Sequence, residues 1–214
     1  AWVIDKGILT VGQKFNVTTS LTVNSGGAVN LTELIVNYDD WTFPISIAGT
    51  GVAGSGALFS TSTNSEMNYT FGTSANPITL LADASINFAG RTTLKGKVTD
   101  NGNDFSLISS GTGDLYVGST VDSDFSGGFT INGTKVYIED GTLGTSTNSI
   151  TILNDGLLDV KGTALSNSVT VSGDATITNS VASVTTVAGD VSIASGNTLT
   201  VSGKLTLSGI VSGA

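Results

Sequence analysis

The chain has 214 residues, with 17 Asp and Glu against 8 Lys and Arg, and contains neither His nor Cys. That composition excludes a Ser-His-Asp triad, a Cys-His pair, ordinary zinc ligation and a disulfide framework. The acidic balance disfavours nucleic acid, whose phosphates need clustered cations, and Lys95 and Lys97 form the sole close cationic pair.

Taken in chain order, residues 1–85 carry Trp2, Trp41, Phe43 and Phe59 at irregular spacing, together with both prolines, Pro44 and Pro77. This stretch reads either as a cap over one end of a repetitive fold or as a less regular set of the same coils. From Ile86 onward short apolar strands alternate with Gly, Asn and Asp: Ile86-Asn87-Phe88-Ala89-Gly90, Thr93-Leu94-Lys95-Gly96-Lys97-Val98, then Gly111-Thr112-Gly113-Asp114-Leu115-Tyr116-Val117-Gly118. Every aromatic residue lies at or before Tyr137, and the rest of the chain is thin, regular and aliphatic.

In that last part the pairs Ile150/Ile152, Leu158/Val160, Val169/Val171, Ala175/Ile177, Val191/Ile193, Leu199/Val201 and Leu205/Leu207 have the period of two that puts both side chains on one face of a strand. With Val184 counted as a further strand, the steps from residue 150 to residue 205 average about 8 residues, which leaves no room for helices. Such a unit fits either an antiparallel meander or one side of a three-sided coil of roughly 24 residues. Asn-Gly or Asp-Gly, the hairpin signature, occurs at Asn101-Gly102, Asn132-Gly133, Asp140-Gly141 and Asp155-Gly156, whereas Ser-Gly, Thr-Gly and Ala-Gly predominate. The expectation is therefore an all-β, right-handed parallel β-helix, one domain over 1–214, of about nine coils and roughly 43 Å, with an antiparallel β-sandwich as the alternative. No run approaches the ~20 apolar residues of a spanning helix, and the strands are too short for a membrane barrel, which needs about 9 to 11.

The run Phe125-Ser126-Gly127-Gly128-Phe129-Thr130-Ile131-Asn132-Gly133, followed by Gly141-Thr142-Leu143-Gly144, Ile150-Thr151-Ile152 and Leu157-Leu158-Asp159-Val160-Lys161-Gly162, resembles the autotransporter-associated β-strand repeat. Partial units at Ile86–Gly118 and from Asn197 to Gly213 are similar to its opening half. The resemblance covers about 86–214 and implies a right-handed parallel β-helix of the kind displayed or secreted by bacterial passengers. It implies no catalytic residue, and the family's membrane barrel is not among these residues.

Carboxylate chemistry needs two carboxyl groups facing one another across a groove, about 5 to 10 Å apart. The candidates are Asp39/Asp40, Asp100/Asp104, Asp122/Asp124, Glu139/Asp140 and Asp155/Asp159, each also explained by the preference of Asp for turns. A lyase would also want a basic residue near bound calcium, and the single arginine, Arg91, has no acidic cluster beside it. Asp122-Ser123-Asp124 could offer two oxygens to calcium, but no calcium-binding loop supports it, and no cofactor or metal site is expected. Asn16, Asn30, Asn68 and Asn132 stand in Asn-x-Thr sequons that N-glycosylation could use.

These readings converge on a non-enzymatic extracellular or cell-surface structural protein, a rigid passenger or adhesin-type module. The alternative is a self-assembling filament or sheath subunit joined end to end by strand addition, with Leu199, Val201, Leu205, Leu207, Ile210 and Val211 as the assembly edge. A polysaccharide-active β-helix enzyme is the remote third reading. Expected partners are copies of the chain itself, the rest of a longer passenger, or surface glycans and host ligands. Ala1 is not Met and no charged, apolar leader precedes it, so the chain reads as a mature product or an excised piece.

Overall fold

A computed structural model describes residues 1–12, 19–32, 40–62 and 68–213. Its regular elements are strands apart from a 3-10 turn at Val52–Gly54, and every ladder among the described residues is parallel, which rules out the sandwich alternative. The chain winds into a β-solenoid of about nine turns. Three faces recur. The first runs through Trp2–Ile4, Leu21–Val23, Ile45–Gly49, Ile78–Phe88, Leu107–Ser110, Phe129–Asn132, Ser149–Leu153, Ser168–Val171, Val191–Ile193 and Val211–Gly213. The second runs from Asp40–Trp41 through Asn68–Phe71, Arg91–Leu94, Asp114–Gly118, Lys135–Asp140, Gly156–Asp159 and Ala175–Asn179 to Leu199–Gly203. A third forms where Thr185–Val187 pairs with Leu205–Leu207, extended by the bridge between Leu165 and Val187.

The period of two works as the sequence predicts. In the first face Ile131 lies beside Ile152, Ile152 beside Val171, and Val171 beside Ile193, so like side chains stack along the interior. Ile131, Ile150, Ile152 and Val171 are fully buried, while Thr130, Thr151 and Thr170 form the outward row. Burial of each large aliphatic contributes about 1.5 to 3 kcal/mol. The Asn-Gly and Asp-Gly pairs all sit at corners and make no hairpin: Asn101 and Gly102 take φ 55° and 78°, and the neighbours Asn154 and Asp155 take 54° and 62°.

Coil length agrees with the expectation of ~24 residues as an average over about nine turns, but it is uneven from coil to coil. Phe129 pairs with Ile150, Ile150 with Val169, Val169 with Val191 and Val191 with Val211, steps of 21, 19, 22 and 20 residues. The third face is short in these coils, a three-residue strand at Thr185–Val187 and at Leu205–Leu207 and a single bridge at Leu165, so three sides fit into about 20 residues. Near the other end the first coil is equally narrow, Trp2 pairing with Leu21 at a step of 19, but the next two are wide. Leu21 pairs with Ile45 at a step of 24, and Ile45 with Ile78 at a step of 33.

The wide coils explain the aromatics. A second column, Gly7–Val11, Gly27–Leu31 and Leu58–Ser60, stacks alongside the first and joins it on the long strand Ile78–Phe88. The enlarged interior is filled by Phe43, Trp41, Phe71, Phe88 and Tyr69, whose successive rings lie 5.5 to 5.8 Å apart. Aliphatic chains cannot span that width, whereas the narrow coils after Tyr137 need nothing larger than Leu or Ile.

Close stacking also fixes glycine at one corner. Gly189 and Gly209 precede first-face strands and lie over the corners of the preceding coils. A Cβ on Gly189 would run into the Asn167 carbonyl, and one on Gly209 into the Gly189 carbonyl.

Candidate functional site

Among the described residues the acidic side chains do not gather around a groove. They reach from one coil to the next. Asp83 Oδ1 accepts the Ser106 amide at 2.8 Å, Asp100 Oδ2 that of Ser126 at 3.0 Å, and Asp159 Oδ1 that of Ser180 at 3.1 Å. Asp174 Oδ1 accepts from Thr198 N at 2.7 Å, and Asp190 Oδ1 from Ile210 N at 2.8 Å. In all five the donor lies one coil further on, 20 to 26 residues along the chain. Charge-assisted bonds of this kind are about twice as strong as neutral ones. They tie successive coils together beyond the ladder itself.

Asp100 is the most committed of them. It is fully buried, and besides the Ser126 amide it accepts the Ser126 hydroxyl at 3.1 Å, Gly102 N at 2.8 Å and Phe105 N at 3.2 Å. Burial pushes its carboxyl up, but the hydrogen bonds from Ser126, Gly102 and Phe105 outweigh that and leave it below the usual carboxylate range. Its partner in sequence, Asp104, is exposed on the turn with φ 60°, so the two do not face one another as an acid and a base.

The other acidic candidates separate similarly. Asp124 pairs with Lys97 at 2.8 Å, and although desolvation raises its carboxyl, hydrogen bonds from Lys97 and Thr99 and the Lys97 charge hold it low. Ser123, between Asp122 and Asp124, is buried and its Oγ accepts Val98 N at 3.0 Å, so the three residues do not converge as ligands. Glu139 pairs with Lys161 at 2.8 Å, and Asp140 accepts its neighbour Gly141 N. Asp155 is exposed on a corner, whereas Asp159 is buried and also accepts Lys161 N at 3.0 Å. Asp39 and the side chain of Asp40 lie outside the described residues. Among the described residues no group of three or more acidic side chains is arranged to hold a metal ion. A cleft of about 70 Å³ between Ile138, Thr142, Leu165 and Asn167 has room for a few waters only.

The sequons divide. Asn132 has its side-chain oxygen engaged by Asn154 Nδ2 of the next coil, and Thr134 Oγ1 is buried and donates to Gly113 O at 2.9 Å. Asn30 sits in mid-strand between Thr10 and Phe59 of adjacent coils. Asn16 and the side chain of Asn68 lie outside the described residues.

The edge expected to carry assembly is the last coil. Leu199, Leu205 and Leu207 continue the inward rows and are half-buried against the coil before, while Val201 and Val211 are 43% and 51% exposed. Ile210 stands outside those rows at 71% exposure, its amide held by Asp190. Ser192, Thr200 and Thr206 face outward and are exposed. At the opposite end Trp2, Val3 and Ile8 are about half exposed.

One cluster stands apart. On the second face Tyr116 and Tyr137 are register partners, their rings stacked 4.6 Å apart at an interplanar angle of 9°. The Arg91 guanidinium lies 3.9 Å from the Tyr116 ring centre, and Lys161 Nζ approaches the two rings at 5.5 and 5.9 Å. The tyrosines turn one face each on the other, and Arg91 lies over the remaining face of Tyr116. The sequence carries a signal for this pair that the apolar pattern alone hides: Leu115-Tyr116-Val117 and Val136-Tyr137-Ile138 repeat apolar-Tyr-apolar one coil apart.

No family model, curated protein or solved structure matches the chain. No helix among the described residues is long and apolar enough to cross a membrane.

Proposed function

We propose that the chain is a non-enzymatic structural module, a stiff β-solenoid rod of the passenger or adhesin type, acting outside the cell or at its surface. The observation that carries this reading is the use of the carboxylates: Asp83, Asp100, Asp159, Asp174 and Asp190 hold coil to coil instead of facing one another across a groove. A solenoid needs its side chains for stacking, and it grows by repetition without a second core. The repeat resemblance and the lack of His and Cys favour the same reading. The test is a screen against neutral and acidic polysaccharides, with and without calcium. No turnover is expected, and turnover abolished by Asp→Asn at any candidate acid overturns the reading.

End-to-end association is the second reading, favoured by exposed Val201 and Val211 at one end and Trp2 and Val3 at the other. A heterologous contact of this kind generates open filaments. Thr206→Pro, in the last third-face strand, should then reduce association while distant coils stay folded. A chain that stays monomeric at high concentration in sedimentation removes this reading.

A further inference from the structure

The geometry points to Tyr116 and Tyr137 as an oxidative cross-linking site, at which a one-electron oxidant such as a haem peroxidase with hydrogen peroxide joins two successive coils through an intrachain dityrosine. Parallel register brings the two residues opposite one another on adjacent strands, with backbones about 4.8 Å apart. The rings are already stacked at 4.6 Å and nearly parallel. Arg91 occupies the outer face of Tyr116, so Tyr137 is the ring that the other face meets. Both tyrosines are half-buried on the outward side of their strands, so neither is sealed from an oxidant in solution.

The pair is also isolated along its row. Thr93 precedes Tyr116 and Asp159 follows Tyr137, so coupling cannot run further along the rod. Tyr69 is buried, with its hydroxyl donating to Leu31 O at 3.1 Å, and Tyr38 lies outside the described residues.

In the reaction each phenol gives up one electron and its hydroxyl proton, and the two neutral radicals join through a bond between ring carbons ortho to oxygen. The hydrogens on those carbons then move to the oxygens, restoring two phenols. The chain loses two electrons and two protons in all. Hydrogen peroxide takes up both and becomes two waters. Held side by side on adjacent strands with their rings stacked, the two radicals do not need a diffusive encounter.

The test uses the full chain at low concentration with a haem peroxidase and hydrogen peroxide, alongside Tyr116→Phe and Tyr137→Phe, which preserve the ring stack. Expected are dityrosine fluorescence, a mass lower by two hydrogen atoms, and a digest fragment joining the Tyr116 and Tyr137 peptides. The yield should not depend on protein concentration, should vanish in either Phe variant, and should fall when the chain is first unfolded in urea. The linked chain should unfold at a higher temperature, since a loop of 21 residues is closed between the two coils. Absence of the link in the folded chain, a link between two chains, a link through Tyr38, or equal yield in urea would each overturn the assignment.

Discussion

Asp100→Asn tests whether the carboxylate ties carry the stability assigned to them. Asn keeps an oxygen for Gly102 N but turns an NH2 toward the amides of Phe105 and Ser126, which in the parent donate to Oδ2 at 3.2 and 3.0 Å. The two amide hydrogen bonds to a charged acceptor are lost, while the Ser126 hydroxyl can rotate to accept from the new NH2. At a net contribution of about 1.5 to 3 kcal/mol for each amide bond, the variant should be less stable by about 3 to 6 kcal/mol. Urea unfolding followed by circular dichroism near neutral pH measures it. Because the folded carboxyl lies below its ordinary value of about 3.9, its contribution is complete above that value and is lost as pH falls through the depressed folded value. The gap between parent and variant should therefore close in acid, where a protonated Asp100 resembles Asn. A variant as stable as the parent near neutral pH, or a gap that acid leaves unchanged, would refute the reasoning.

Gly189→Ala should lower stability by about 1 to 3 kcal/mol in a thermal melt, because its Cβ meets the backbone carbonyl of Asn167, which cannot step aside. Ile152→Ala, stacked between Ile131 and Val171 in mid-rod, should cost about 2 to 5 kcal/mol. Val201→Ala, 43% exposed on the last coil, should cost less than about 1 kcal/mol in the same denaturant series. Lys97→Ala should change stability by no more than about 1 kcal/mol, its pair with Asp124 being partly solvated, and that difference should shrink further in high salt.

Much of the regular half can be read directly from the chain. The spacing of Ile150, Leu158, Val169, Ala175, Val191, Leu199 and Leu205 places strands where Ser149–Leu153, Gly156–Asp159, Ser168–Val171, Ala175–Asn179, Val191–Ile193, Leu199–Gly203 and Leu205–Leu207 are found. Alternation is local, so no knowledge of partners is needed. Residues 1–85 are different because their organisation depends on Ile78–Phe88, which pairs with both Ile45–Gly49 and Leu58–Ser60. No local pattern reports such long-range pairing. The carboxylates are legible as turn formers, but their reach is fixed by coil length, which the apolar spacing overestimates for the narrow coils. Tyr116 and Tyr137 escape an apolar-pair reading because they face outward, where only the repeat of one coil brings them together.

The stacking of each coil on the one before has a mechanical meaning. The strand ladders bind each coil only to its neighbours, so tension applied to the two chain ends loads the terminal coils rather than the whole stack. Yielding would release one coil at a time, and a released coil of 21 residues, the step from Phe129 to Ile150, lengthens to about 70 Å when extended. Such a rod gives way in separate steps under pull, each set by the length of the coil released, while the undetached coils remain stiff, behaving more like a line unwinding from a reel than a spring.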